Sequence, residues 1–144
     1  MLSLMDTIVS LVVKVLWKLI SLICFRVYLE VNVHKNPTCF SRWSVSISFS
    51  SSGMYVVIHT DLNKTGSIVG VKDIKIQKKN ILGIWTTVAT SSGGEVTNAS
   101  GCSVSVTYPG AVKGETYRVT CVHYGNVDEY RELEHETEAI TCAY

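Results

Sequence analysis

The stretch from Gly101 to Cys121, GCSVSVTYPGAVKGETYRVTC, carries the clearest structural pattern of this sequence. Before Pro109, valine and tyrosine alternate with serine and threonine, and this period of two indicates a half-buried strand. Pro109 and the glycines at 110 and 114 interrupt the pattern with turn chemistry. The alternation then returns from Tyr117 to Cys121. The stretch therefore predicts two strands joined by a turn.

The two cysteines of this stretch lie at matching positions on the two strands. Cys102 precedes Pro109 by seven residues and extends the inward face of its strand. Cys121 follows Gly114 by seven residues and does the same on the second strand. Because a disulfide needs Cβ atoms about 4 Å apart, we expect a bridge either between facing sheets or across neighbouring strands. The alternative is two buried free thiols, since cysteine packs as a small hydrophobic residue.

The five cysteines of the chain also bear on its compartment. Cys24 lies in an apolar N-terminal run, and the four others form an even set, which is typical of a disulfide framework in an oxidising compartment. We favour one bridge between Cys102 and Cys121. The other would then join Cys39 to Cys142 and tie the first strand to the last. No cysteines or histidines have zinc-finger spacing, so neither a metal nor another cofactor is predicted.

Length and charge narrow the class of protein. The chain has 144 residues and a net charge of +1 at pH 7. This length suits one domain with a sizeable core. No lysine- and arginine-rich run with interleaved aromatic residues occurs, so the electrostatic surface that DNA or RNA needs is missing. We therefore expect no nucleic-acid partner.

The N-terminal segment, residues 1–34, is apolar but does not fit one targeting class. A bilayer span needs about 20 mainly apolar residues, and Lys14 and Lys18 interrupt this one. A signal peptide begins with basic residues and ends at a small-residue cleavage site, and neither is present. The segment is interpreted as an export signal, a membrane anchor or an amphipathic helix lying on a membrane. The alternatives are a helix packed on the domain and a translation start upstream of the biological one.

Residues 38–144 show the alternation of an all-β domain. A one-sided strand is predicted near Trp43–Ser50, and a strand buried on both faces over Met54–Leu62. A loop is expected at Asn63–Gly66 and a hairpin turn at Asn80–Gly83. The last strand is expected within Tyr130–Tyr144. About seven short strands at this spacing indicate an antiparallel β-sandwich of the immunoglobulin or fibronectin type.

Four stretches of this domain carry a resemblance to a known family. They are the serine-alternating first strand that begins at Trp43, IVGVKDIKIQKK, IWTTVAT and GCSVSVTYPGAVKGETYRVTCVHYG, within Trp43–Cys142. In these stretches the chain resembles small exported proteins of clostridial gut bacteria that are grouped as a domain of unknown function. The resemblance implies a β-sandwich at the cell surface or outside the cell, and it supplies no catalytic or binding residues.

Four glutamates alternate along the C-terminal stretch: Glu132, Glu134, Glu136 and Glu138. On a strand, all four carboxylates would share one face. Such a face suits an edge strand that blocks sheet-to-sheet aggregation, and the alternatives are a hard cation such as Ca²⁺ or a basic partner. Cys142 has the same parity but should face inward, so we expect a bulge or loop near Ala139.

Catalysis is not predicted. The chain contains no Gly-x-Ser-x-Gly elbow and no phosphate loop, and HETE at His135 is not the zinc-protease motif. Cys121 and His123 share a strand face among apolar neighbours, so we interpret them as a buried structural pair. We therefore expect a protein that is not an enzyme.

The function expected from the sequence is that of an extracytoplasmic module for ligand binding or adhesion. Its partner would be an extracellular protein or glycan, with membrane contact through the N-terminal segment. The favoured ligand surface is formed by residues near the last turn: Tyr124, Asn126, Asp128 and Tyr130. The alternative is a structural component of a cell envelope or of a phage-derived particle, held by the N-terminal helix.

Overall fold

A computed structural model of the chain describes residues 39–144, and they are all-β. One antiparallel sheet has seven strands, so the all-β class and the strand number are confirmed. The strands are β1 (Phe40–Ser50), β2 (Gly53–Lys79), β3 (Trp85–Ser91), β4 (Gly94–Tyr108), β5 (Thr116–Asn126), β6 (Tyr130–Glu136) and β7 (Ile140–Thr141). The interpretations of residues 1–34 lie outside the described residues. Within residues 39–144, no helix has the length and apolar character that crossing a membrane requires.

Strand β2 is the centre of the sheet, because β1, β3, β4 and β5 all pair with it. The loop predicted at Asn63–Gly66 is wrong, since β2 continues through these residues. The change of direction is instead taken up within the strand. Ten residues of straight strand would span about 33 Å, yet the Thr60 hydroxyl lies 3.4 Å from the Gly70 carbonyl oxygen. Strand β2 therefore folds back on itself, and Asn98 of its partner β4 adopts a positive φ near the same bend.

The hydrophobic core forms where the two halves of β2 and strand β5 meet. Its fully buried members alternate along these strands: Met54, Val56 and Ile58; Val71, Ile74 and Ile76; Tyr117 and Val119. The rings of Phe49 and Tyr108 lie 6.0 and 6.2 Å from the ring of Tyr117. Each aliphatic side chain buried in this way contributes about 1.5–3 kcal/mol. The core therefore holds the folded-back sheet together.

Strands β4 and β5, which contain the two matching cysteines, lie on opposite sides of β2. Val69 of β2 pairs with Val96 on one side and with Gly125 on the other. Cys102 packs in a cluster with Cys39, whereas Cys121 and Cys142 belong to the main core. All four are free, buried thiols. The predicted Cys102–Cys121 bridge is not formed, because β2 lies between the two strands that carry these cysteines. The predicted Cys39–Cys142 bridge is not formed either, since these two cysteines pack in different hydrophobic clusters.

The acidic strand β6 lies at the edge of the sheet, beside β5. Its glutamates at 132, 134 and 136 are exposed, while Leu133 and His135 turn inward. Glu138 lies beyond the strand. Residues 137–139 break the ladder before β7, which allows Cys142 to be buried as expected. The outer face is partly neutralised, because Lys72 pairs with Glu132 and Arg118 pairs with Glu136.

Candidate metal centre

Two neighbouring strands bring one cysteine and two histidines to the same place. Cys121 and His123 are two residues apart on β5, so both side chains point to the same face of the strand. His135 of β6 is paired directly with Cys121. Side chains of directly paired residues share a face and have Cβ atoms about 4.5–5.5 Å apart. Local alternation and strand pairing together therefore place the three side chains in contact.

The three potential ligand atoms converge. His123 Nε2 lies 3.1 Å from His135 Nδ1 and 3.7 Å from Cys121 Sγ. All three atoms lie within 4.8 Å of one another. A tetrahedral zinc ion, with Zn–N near 2.0–2.1 Å and Zn–S near 2.3 Å, separates two nitrogen ligands by about 3.4 Å and nitrogen from sulfur by about 3.6 Å. The two distances from His123 Nε2 are close to these values, and the third pair, Cys121 Sγ and His135 Nδ1, lies within 4.8 Å.

Burial sets the protonation of the three groups. His123 is fully buried, and burial, followed by the nearby His135, lowers the pKa of its imidazole to about 4. Burial also lowers the pKa of His135, and it raises the pKa of the Cys121 thiol to about 12. Both imidazoles are therefore neutral at pH 7, the form that binds metals. A bound cation would displace the thiol proton, because the thiolate is the ligand.

Thr60 orients His123 from the other half of the folded sheet. Its hydroxyl donates to the Gly70 carbonyl, and its oxygen lies 2.7 Å from Nδ1 of His123. We therefore assign the imidazole proton to Nδ1, which donates it to the Thr60 oxygen. The lone pair of Nε2 then faces Cys121 and His135. A hydrogen bond of this kind to the ring nitrogen that does not bind the ion is typical of metal-binding histidines.

An open depression lies on the same two strands, but most of its lining residues there alternate with the cluster residues and therefore face the other side of the sheet. Its volume is about 540 Å³, and Cys121 and His135 belong to its lining. The remaining lining is largely polar and includes Asp73, Lys75 and Glu134. Among residues 39–144, the converging group has three members, so an ion bound there would keep a coordination position for water.

The sequence analysis did not predict this cluster, because its three ligands do not have the close spacing that known zinc-binding motifs show. Cys121 and His123 were recognised as sharing a face, but His135 lies twelve residues beyond His123 and joins them only through strand pairing. The pairing Asn126↔Tyr130 sets the register of the hairpin. Counting outward from that pair would have placed His135 opposite Cys121. The missing information was therefore the position of the turn.

The predicted ligand surface is only partly exposed. Tyr124 is buried, and its hydroxyl donates to Glu95 across 2.7 Å. Tyr130 is exposed and donates to Glu132 across 2.8 Å. Their rings lie 6.0 Å apart, and the Lys72 ammonium lies 5.7 and 5.9 Å from the two centroids. The structure brings the tyrosines together, but each hydroxyl already has a partner within the domain.

The two polar residues of that surface are separated. Asn126 pairs with Tyr130 at the end of the β5–β6 ladder. Asp128 lies in the turn and lines a small depression of about 120 Å³ with Lys64 and Arg131. The four predicted residues therefore belong to one hairpin end and do not line a single pocket.

Comparison with known proteins does not assign a function to this site. The chain matches no known protein family, no curated protein and no solved structure. The resemblance to exported clostridial proteins stays a prediction from the sequence.

Proposed function

We propose that this domain is a non-catalytic ligand-binding module whose ligand is a first-row transition ion, zinc in the first place. The observation that carries the proposal is the convergence of Cys121, His123 and His135 within 4.8 Å. One thiolate and two imidazoles suit Zn²⁺, and Cu²⁺ is the strongest competitor for such donors. The neutral imidazoles and the hydrogen bond that His123 Nδ1 donates to Thr60 support the same assignment.

The position of the ligands supports a binding role over a catalytic one. Cys121 packs in the main core and His123 is fully buried, so the ion would be held by rigid strands. His135 lies on β6, the edge strand, which pairs with β5 alone. An ion shared by β5 and β6 would attach this edge to the core. Any ligand that binds only the folded chain stabilises it, by about 2.7 kcal/mol when its concentration is 100 times Kd.

The finer architecture and the location belong to the same proposal. An immunoglobulin-like sandwich is supported by the main core, to which both halves of β2 contribute. A position at the cell surface or outside the cell is supported by the apolar sequence of residues 1–34. The free thiols of Cys102 and Cys121 remove the disulfide argument for that location. Adhesion to an extracellular protein or glycan remains a broader form of the proposed binding role.

A zinc titration tests the proposal. Protein freed of metal by a chelator is titrated with Zn²⁺ in competition with a chromophoric chelator, and we expect one equivalent to bind. Cobalt in place of zinc should show a thiolate charge-transfer band. The Cys121→Ser and His135→Ala variants should lose both signals. Cys102→Ser is the matched control, because it removes a buried thiol from the other cluster.

The proposal fails if the Cys121→Ser and His135→Ala variants bind zinc as tightly as the unmodified chain. Circular dichroism of each variant shows whether the sheet is intact, so that loss of binding is separated from loss of fold. Competition between Zn²⁺ and Cu²⁺ on the unmodified protein then decides which ion the site prefers.

A further inference from the structure

The hairpin between β2 and β3 presents three apolar side chains to solvent. Ile81 is fully exposed, and Leu82 and Ile84 are 77% and 57% exposed. These residues are adjacent in the chain and form the tip of the hairpin. A cluster of exposed apolar residues on a folded domain marks an interaction site more often than scattered single residues do.

The turn holds these side chains outward. The Asn80 side-chain oxygen accepts hydrogen bonds from the backbone N–H groups of Leu82 and Ile84, both at 2.9 Å. The Asn80 N–H donates to the Ile84 carbonyl, and the Gly83 N–H donates to the Asn80 carbonyl. Gly83 has a φ of 81°, which its lack of a Cβ permits. The exposure of the tip is therefore built into the backbone.

Cationic and aromatic groups surround the base of the tip. Lys79 places its ammonium 5.7 Å from the ring of Trp85, and the Arg118 guanidinium lies 4.4 Å from the same ring. Lys78 lies 3.7 Å from Glu115, and Arg118 pairs with Glu136. Because those two pairs are internal, Lys79 is the cation that the hairpin presents beside its indole. An apolar tip above tryptophan and lysine is the arrangement of an interfacial membrane anchor.

We propose that this hairpin tip inserts into the headgroup region of an anionic lipid bilayer. Ile81, Leu82 and Ile84 enter the boundary with the acyl chains, while Trp85 and Lys79 lie at the level of the phosphates. Charge complementarity favours lipid over a second copy of this chain. Two copies meeting tip to tip would bring their lysines together, whereas anionic lipid neutralises them.

Cosedimentation of the full chain with phospholipid vesicles tests this inference. We expect binding to vesicles of phosphatidylcholine with phosphatidylglycerol, weaker binding to phosphatidylcholine alone, and a decrease as salt is added. The triple variant Ile81→Ser, Leu82→Ser, Ile84→Ser should lower the partition coefficient about tenfold or more, given the apolar area removed. Lys79→Gln should lower the preference for phosphatidylglycerol.

Val112→Ser is the matched control. The exposed fraction of Val112, 54%, is similar to the 57% of Ile84, but Val112 lies on a different turn. Its partition should equal that of the unmodified chain. The inference is overturned if the unmodified chain does not bind, or if the triple variant binds equally well, which would assign binding to residues 1–34. It is also overturned if the native chain self-associates without lipid and the triple variant does not. Since the tip is exposed, circular dichroism should be unchanged in every variant.

Discussion

Replacing Thr60 by valine tests how the candidate metal centre is held together. Valine keeps the shape of threonine but removes the hydroxyl that accepts from His123 Nδ1 at 2.7 Å and donates to the Gly70 carbonyl. Thr60 and His123 are both fully buried, so no water replaces the lost partner. The Gly70 carbonyl and His123 Nδ1 both lose their partner, and leaving a buried polar group unpaired costs about 1–3 kcal/mol. We expect the free energy of unfolding of the metal-free protein to fall by that amount.

The same substitution should weaken zinc binding without touching a ligand. With no acceptor at Nδ1, the imidazole proton moves to Nε2, where His135 Nδ1 lies 3.1 Å away as an acceptor. The Nε2 lone pair is then lost from the site. Removing the partner that orients a metal-binding histidine typically costs about 10–100-fold in affinity. We expect the zinc Kd of Thr60→Val to rise by that factor.

The assays are urea unfolding of the chelated protein and zinc competition titration. Thr60→Ser is the matched control, because it keeps the hydroxyl and loses only a methyl group. Its zinc affinity should stay close to that of the unmodified chain, while its stability falls by about 1 kcal/mol. The reasoning is refuted if Thr60→Val binds zinc with unchanged affinity, or if Thr60→Ser loses as much affinity as Thr60→Val.

Three further predictions concern acid, thiols and a turn. Burial holds the pKa of His123 at about 4, below its ordinary 6.5, so the unfolded chain takes up the proton first on acidification. The free energy of unfolding of the chelated protein should therefore fall by on the order of 3 kcal/mol between pH 6.5 and 4. Urea unfolding that gives the same free energy of unfolding at about pH 6.5 and pH 5 would contradict this. The four described cysteines are free and buried, so a thiol reagent should label them only when urea unfolds the sheet. Fast labelling of any of these four without urea, located by peptide mapping, or a bridge between them in a non-reducing mass, would be evidence against the structure. Gly93→Ala should destabilise the protein strongly, because the new Cβ would lie 1.9 Å from the Val71 carbonyl oxygen. Gly114 has a similar φ but open space around it, so Gly114→Ala should cost only about 1 kcal/mol. Equal melting temperatures for the two variants would refute the steric argument.

Alternation of side chains along the chain was enough to predict much of the local structure. The serine-alternating stretch at Trp43–Ser50 lies in β1, and the turn expected at Asn80–Gly83 joins β2 to β3. The glutamates of β6 share the exposed face of an edge strand. These predictions succeeded because the faces of a strand depend only on neighbouring residues. A period of two needs no knowledge of what lies across the sheet.

Strand neighbours could not be predicted in the same way. The segment Asn63–Gly66 is polar and resembles a loop, but β2 passes through it because β4 continues to pair beyond the bend. Cys102 and Cys121 occupy matching positions about one turn, yet β2 lies between their strands. Nothing near that turn reveals that a distant strand is inserted there. The prediction of a disulfide failed for this reason.

Alternation in the amino-acid sequence was enough to predict that the domain after the N-terminal segment is all-β and that Cys121 and His123 share a face. It assigned the faces of β1 and β6, whereas Met54–Leu62 was expected to be buried on both faces and exposes Tyr55. The tertiary structure alone decided that β2 folds back, that Thr60 reaches His123, and that β6 places His135 against Cys121. The difference lies in how far apart in the chain the interacting residues are. Face and turn follow from steric and hydrophobic preferences within a few residues, whereas the candidate metal centre depends on pairing between residues far apart in the chain, set by burial of the common core.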